Sequence, residues 1–281
     1  MLETITFIGG GVMAEALIQG LLNKKIIAPD SITVAEPREK RRAELAERYL
    51  VRTTANNRDA NRVSKIVVLA IKPQVLSRVL TELHGILYAD QLVLSIIAGG
   101  RIGTLADGLG HNTIVRAMPN TPAQIGEGVT VWTTTPQVTE AQREQTRTIF
   151  QALGKEVLVD DEKYLDMATA VSGTGPTYTF LVLEALIDAA VHLGFSRDQA
   201  HDIVLETMRG SILYAQQTGK HPAELRNMVT SPGGTSAEAI YQMEKGALRT
   251  VLSKAVWAAY QKSCLLGETV GKVEPHKPVD E

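Results

Sequence analysis

Cysteine is nearly absent. Cys264 is the single thiol in 281 residues, so the chain cannot close a disulfide within itself and fits a reducing compartment. With Trp257, Tyr260, Leu265 and Leu266 as neighbours, that thiol is expected to be buried and inert. Charge of one sign is missing too. The 29 basic and 31 acidic residues leave a net charge of -2, which gives no broad attraction for nucleic acid or an anionic membrane. No apolar run approaches the ~18 residues of a membrane span, and no basic stretch followed by a long apolar segment opens the chain. A soluble cytoplasmic protein, with neither a membrane nor a nucleic-acid partner, is therefore expected. The six histidines, His84, His111, His192, His201, His221 and His276, show no paired ligand spacing, so no metal site is expected. Ser172 lacks the G-x-S-x-G surround of a hydrolase nucleophile. A P-loop pattern is also missing, which argues against kinase or ATPase chemistry.

Glycine, by contrast, is concentrated at the start. Thr4-Ile5-Thr6-Phe7-Ile8 runs straight into Gly9-Gly10-Gly11-Val12-Met13-Ala14, which reads as strand, tight turn and helix. Gly9, Gly11 and Ala14 form G-x-G-x-x-A, a permitted form of the dinucleotide fingerprint. Its first glycine makes the turn, its second lets a pyrophosphate approach the backbone, and its small third residue lets helix and strand pack closely. The helix N-terminus then offers unpaired N–H groups to the phosphates. A second strand, Ile32-Thr33-Val34-Ala35, ends at Glu36-Pro37-Arg38, where such a unit meets the adenosine ribose. Glu36 would accept hydrogen bonds from a ribose diol and repel a 2′-phosphate, and Arg38 would do the opposite. The pair points both ways on NADH against NADPH.

Further strand-like runs follow at 65–70, 92–97, 114–118, 128–132 and 156–159. Pro73 should open a helix over 73–84, and polar helices are expected at 38–48 and 139–152. Strands alternating with helices predict a doubly wound, mostly parallel sheet, an α/β Rossmann domain over 1–160, whose ligands sit outside the carboxyl ends of the strands. From about Asp160 onward helical punctuation takes over: Gly194 and Gly219 as stops, Ser196 with Gln199 as a capping box, Pro222 as a first helical residue. This predicts an all-α dimerisation and substrate domain over 161–272, followed by a flexible tail, 273–281. The run Asp160-Asp161-Glu162 should supply negative charge to the first turn of the helix after it. Tyr178 to Leu193 is apolar nearly all round. A helix of that kind must be buried, and a small helical domain can cover one side of it, so the remainder predicts a subunit interface and at least a dimer. Near the end, Val229-Thr230-Ser231-Pro232-Gly233-Gly234-Thr235-Ser236-Ala237-Glu238 precedes a helix expected at 237–245. Thr235 with Glu238 fits a capping box, and the glycines and hydroxyls also make a cradle of N–H groups for a carboxylate.

Taken in order, Gly9-Gly10-Gly11-x-Met13-Ala14, Ala70-Ile71-Lys72-Pro73, Arg116-x-Met118-Pro119-Asn120-Thr121-Pro122, Ser172-Gly173-Thr174-Gly175-Pro176-x-Tyr178 and Ser231-Pro232-Gly233-Gly234 resemble the pyrroline-5-carboxylate reductase family through nearly the whole chain. The resemblance implies NADPH- or NADH-dependent reduction of 1-pyrroline-5-carboxylate to L-proline, the last step of proline biosynthesis. It implies a homodimer, often assembled into larger rings. Cofactor contacts would fall on Ile8, Gly9, Gly10, Gly11, Val12 and Met13, on Glu36 and Arg38, on Asn56 near the adenosine, and on Ala70, Lys72 and Pro73. Met118, Asn120 and Thr121 would line the nicotinamide pocket. Substrate binding would fall on Ser231, Gly233, Gly234, Thr235 and Ser236, with Ser236 as the catalytic hydroxyl at the ring nitrogen. Two departures stand out. The family commonly has threonine in place of Ser236, and often a small polar residue in place of Glu36. The alternatives are a β-hydroxyacid-dehydrogenase-like reductase, which needs a lysine that Thr177 to Val191 does not contain, and a non-catalytic nucleotide-binding regulator, which would have lost the Ser231–Ser236 loop.

Overall fold

A computed structural model describes residues 3–61 and 64–271; the tail expected at 273–281 lies outside the described residues. Its strands are β1 (Ile5–Ile8), β2 (Ile32–Ala35), β3 (Arg52–Thr54), β4 (Ile66–Leu69), β5 (Leu92–Ser95), β6 (Ile114–Met118), β7 (Gly128–Thr134) and β8 (Gly154–Leu158). They form one sheet in the order β3-β2-β1-β4-β5-β6-β7-β8. Neighbours are parallel except β6 and β7. All residues of β1, β4 and β5 are buried, as strands covered on both faces must be. The chain winds outward from β1 in one direction through β2 and β3, and in the other from β4. Ile8 is therefore in register with Ala35 on one side and with Leu69 on the other, and the segments leaving β1, β2 and β4 emerge side by side at the switch point, where such sheets bind ligands.

Helices cover both faces. Leu17 and Leu21 of α1 (Val12–Asn23) and Ile149 and Phe150 of α6 (Glu140–Gln151) pack over Phe7 and Trp132; the Trp132 and Phe150 rings meet at 5.8 Å, tilted by 58°. On the other face Leu76, Leu80 and Leu83 of α4 (Leu76–Leu83) and Leu105 and Leu109 of α5 (Ile102–Leu109) cover Val67, Leu69 and Val93. Leu45 of α2 (Glu39–Tyr49) joins the first of these layers, and Ala60 of the short α3 (Asn57–Asn61) the second. Pro73 does open the segment expected at 73–84, but as a 3₁₀ turn, Pro73–Val75, that feeds α4.

The chain divides into two compact units: Met1–Thr174 with Ala259–Glu281, and Gly175–Ala258. The first unit thus runs past residue 160, because α7 (Lys163–Ala168) buries Leu165, Asp166 and Ala168. It also reclaims the end of α12 (Leu248–Thr269). There Ser263 Oγ donates to Asp166 Oδ1 at 2.9 Å, and Arg101 Nη2 donates to the Cys264 carbonyl at 3.3 Å. Cys264 is half-buried rather than buried, because the neighbours expected to cover it, Trp257 and Leu265, are themselves exposed.

The second unit holds α8 (Gly175–His192), α9 (Arg197–Thr218), α10 (Pro222–Met228), α11 (Thr235–Lys245) and the first half of α12. Ser196 caps α9 with the full reciprocal box to Gln199, and Gly219, at φ 62°, ends it. None of the residues of α8 is buried within the single chain. Leu181 is 66% exposed and Phe180 60%, far from what an all-round apolar helix requires. Tyr241 and Met243 of α11, and Val251 and Trp257 of α12, are exposed as well. So large an uncovered apolar surface marks an interface. Among the described residues no helix is long and apolar enough to cross a membrane.

Candidate functional site

The glycine turn is built for close approach. Gly9 sits at φ +100°, and a Cβ there would lie 2.7 Å from the Ala70 carbonyl oxygen, so no larger residue fits between β1 and β4. Its N–H donates to the Ala35 carbonyl at 2.8 Å, and the Ala70 N–H donates to Ile8 at 2.9 Å. Gly10 is held from both sides: its N–H donates to Glu36 Oε2 at 3.1 Å, and its carbonyl accepts from Arg41 Nε at 2.8 Å. Gly11 caps α1 without any side-chain bond, leaving first-turn N–H groups for a phosphate. Behind the turn, Glu15 accepts from Arg48 at 2.9 Å and from the Tyr49 hydroxyl at 2.8 Å, and pairs with Arg41. Burial and the Glu15 carboxylate push the Tyr49 hydroxyl up to about 12, so it remains a donor. This cluster clamps α1 to α2 and fixes the turn before any ligand arrives.

A cavity of about 320 Å³ opens beside the turn. Of the residues expected at the cofactor, Gly9, Gly11, Glu36, Arg38, Ala70 and Lys72 line it. Pro73 shapes the 3₁₀ turn that follows Lys72. Ile8 lies in the core on one face of the sheet, Met13 packs against the core on the other, and Val12 is exposed on the first turn of α1. The Asn56 Oδ1 accepts the Arg58 N–H at 2.8 Å and starts α3; Asn57, the next residue, lines the cavity. Arg78 also lines it; one polar residue on an amphipathic helix gave no signal of that role in the sequence.

Glu36 is 5% exposed. Its Oε1 accepts from the Arg38 N–H at 3.1 Å and from Arg38 Nε at 2.8 Å. Burial pushes this carboxyl up, but the hydrogen bonds from Arg38 and from the Gly10 N–H outweigh it, and the group sits below the ordinary 4.5. A lowered folded value means the stabilisation is complete above the unfolded value and is lost as pH falls through the folded one. In urea unfolding, stability should therefore drop more steeply below pH 4.5 in the wild type than in Glu36→Gln.

At the carboxyl end of β6, the Asn120 side chain accepts the Val129 N–H at 2.9 Å, and Thr121 opens a 3₁₀ segment, Thr121–Ile125. Met118 reaches Gly173, where a Cβ would lie 2.8 Å from its methyl. These three residues share the sheet edge with the cavity but do not line it. Gly173 closes a π-helical turn, Thr169–Gly173, a distortion that recurs at functional sites. Ser172 Oγ there donates to the Ala168 carbonyl at 2.9 Å. The acidic run before α7 works differently from the expectation. Asp161 does accept the Lys163 N–H at 2.8 Å, but Glu162 accepts from Arg116 Nη1 and from the Ile102 N–H, both at 2.7 Å.

In the second unit, Gly233 at φ +70° turns the Ser231–Ser236 loop, and the Gly234 N–H donates to the Ser231 carbonyl at 3.0 Å. The capping box does not form. Gly234, in extended conformation, is the N-cap and Thr235 is already the first helical residue, so α11 starts two residues ahead of the expected 237. The turn delivers the chain straight into the helix and leaves Thr235 nothing to cap. Among the described residues, no hydrogen bond engages the hydroxyls of Thr235 and Ser236.

A braced glycine turn at the switch point of a parallel sheet, beside a cavity with an acidic residue at the end of β2, defines a nicotinamide-dinucleotide oxidoreductase of the Rossmann type. Residues 162–266 match the family described as pyrroline-5-carboxylate reductase dimerisation, and residues 4–99 the family described as NADP oxidoreductase, coenzyme F420-dependent. The chain is 42% identical to the pyrroline-5-carboxylate reductase of Synechocystis sp., over 93% of this chain and 97% of the relative. Among solved structures it is similar to a pyrroline-5-carboxylate reductase from Coxiella burnetii, with TM-score 0.88, 35% identity, and coverage of 96% of this chain and 100% of that one. It is also similar to the Plasmodium falciparum pyrroline carboxylate reductase with NADP bound, with TM-score 0.87, 32% identity, and coverage of 95% and 100%. The chain belongs to the pyrroline-5-carboxylate reductase family.

Proposed function

We propose that this chain reduces 1-pyrroline-5-carboxylate to L-proline at the expense of NAD(P)H, completing proline biosynthesis. The observation that carries this reading is family membership over nearly the full length, together with a first unit whose turn and cavity fit a dinucleotide. The fit is physical: Gly9 admits no Cβ, and the first-turn N–H groups of α1 await phosphate oxygens. When bound, the nicotinamide supplies the hydride.

The residues of this chain then have three tasks. Gly9 to Gly11 and the start of α1 hold the pyrophosphate, and Ala70, Lys72 and Pro73, with Met118, Asn120 and Thr121, frame the nicotinamide half. The N–H groups of Gly233, Thr235 and Ser236, at the start of α11, bind the substrate carboxylate, while that of Gly234 holds the turn through Ser231. The Ser236 hydroxyl hydrogen-bonds the ring nitrogen and fixes the imine carbon for attack. A protonated imine is already electrophilic, so orientation rather than a strong acid is what the protein must provide. Ser236→Ala should lower kcat about tenfold or more while changing NAD(P)H affinity less than twofold; stopped-flow turnover and cofactor titration measure the two, and unchanged turnover would remove the role.

The uncovered face of α8 supports a dimer, and we place rings of dimers above it; light scattering would give the assembly. The lone thiol fits the cytoplasm. A steady-state assay with the imine plus NAD(P)H, against a β-hydroxyacid plus NAD(P), separates the rivals: oxidation with the imine alone supports this reading, and turnover of the hydroxyacid or none at all opposes it. The regulator reading sits poorly with a substrate loop that keeps every hydroxyl.

A further inference from the structure

Glu36 is held in place on every side. One carboxylate oxygen takes the Gly10 N–H at 3.1 Å, and the other takes the Arg38 N–H at 3.1 Å and Arg38 Nε at 2.8 Å. Its backbone is fixed as well: the N–H donates to Thr54 at 2.9 Å, and the carbonyl accepts from Arg42 Nη1 at 2.8 Å. The carboxylate cannot swing out of the cavity without opening the bond that braces Gly10, and with it the phosphate turn. A carboxylate has about four acceptor sites, and three are used, which leaves capacity for a ribose hydroxyl and none of the donors that a phosphate needs.

Two guanidinium groups complicate this. Arg38 and Arg78 both line the cavity, and an arginine near the ribose is the usual partner of a 2′-phosphate. Neither is uncommitted. Arg38 is paired with Glu36, and Arg78 with Glu82 at 3.5 Å. Arg38 gives only its Nε to Glu36, so its outer N–H groups can meet a phosphate, but the fixed Glu36 carboxylate then stands at short range from the incoming anion. NADH meets no such repulsion, because the diol donates into the acceptor that is already in position.

We infer that Glu36, tethered by Gly10 and Arg38, makes this chain select NADH over NADPH at the adenosine ribose. The inference rests on the reading of the first unit as a nicotinamide-dinucleotide site and assigns its preference. The expected discrimination is about tenfold or more in dissociation constant, equivalent to about 1.4 kcal/mol.

Equilibrium titration of the full-length protein with NADH and with NADPH, followed by nicotinamide fluorescence, reads this without turnover. The wild type should bind NADH the more tightly. Glu36→Gln keeps the shape and removes the charge, so NADPH should tighten and the preference fall to threefold or less. Arg38→Ala, at an exposed side chain, tests the other half: NADPH should weaken further, and NADH should hold within about threefold. Equal binding of the two cofactors by the wild type, tighter NADPH, or a preference unmoved in Glu36→Gln would overturn the assignment. Binding of neither cofactor would instead overturn the dinucleotide reading on which it rests.

Discussion

Replacing Leu181 by glutamate should turn a dimer into an inactive monomer. Leu181 stands 66% exposed on α8, a helix with no buried residue in the single chain, and the second unit has little interior of its own: in α9 only Ala200 and Val204 are buried, and in α10 and α11 nothing is. The stability of this unit must therefore come from a second copy. In a two-fold interface one substitution enters twice. Each buried, unpaired carboxylate costs about 3 kcal/mol or more, so the pair should raise the dimer dissociation constant by about 10⁴-fold. Sedimentation velocity would show monomer at concentrations where the wild type is dimeric, and turnover should be lost because the Ser231–Ser236 loop sits in the unit that loses its support. A variant that stayed dimeric and active would mean that α8 faces solvent in the assembly.

Arg116→Met should be nearly as damaging, by another route. Arg116, whose side chain is 3% exposed, pairs with Glu162 at 2.7 Å and Asp166 at 3.5 Å. Asp166 also accepts from Ser263, and Glu162 from the first N–H of α5. The arginine thereby gathers β6, α5, α7 and the end of α12 around one charge, on the strand that leads to Met118 and Asn120. Removing it leaves the buried Asp166 without a counter-charge, which costs about 3 to 5 kcal/mol. The midpoint of urea unfolding should fall accordingly, and Asp166→Asn in the Arg116→Met background should restore part of the loss, the signature of coupled sites. A loss below about 1 kcal/mol would class the network with ordinary surface pairs.

What could be read in the sequence was local. The β1 turn, the fully buried strands and the Ser196 capping box each declare themselves within a few residues, because strand burial, left-handed turns and helix caps are set by neighbours. What escaped was either weak or distant. β3 consists of Arg52, Thr53 and Thr54 on a sheet edge, where no apolar alternation is needed. α5 carries Gly103 and Gly108, which blur its periodicity, although a Cβ at Gly108 would lie 2.6 Å from Leu80. Arg116 and Glu162 are 46 positions apart, and no spacing rule joins them. Thr235 and Glu238 had the residues of a capping box but not the backbone, since the Gly233 turn makes Gly234 the cap. Asn57 lines the cavity, and as one polar residue at the start of α3 it carried no signal of its own. The dinucleotide turn was thus legible almost entirely, and the surroundings of Glu36 only in outline, since its grip on Gly10 is a tertiary contact.

The central claim is hydride delivery to a cyclic imine, and isotope transfer tests it most directly. Incubated with 1-pyrroline-5-carboxylate and nicotinamide cofactor deuterated at the transferring face of C4, the enzyme should release L-proline bearing one deuterium on the former imine carbon, with cofactor consumed in equal amount. Cofactor that binds and keeps its deuterium while the imine is recovered unreduced would contradict the account.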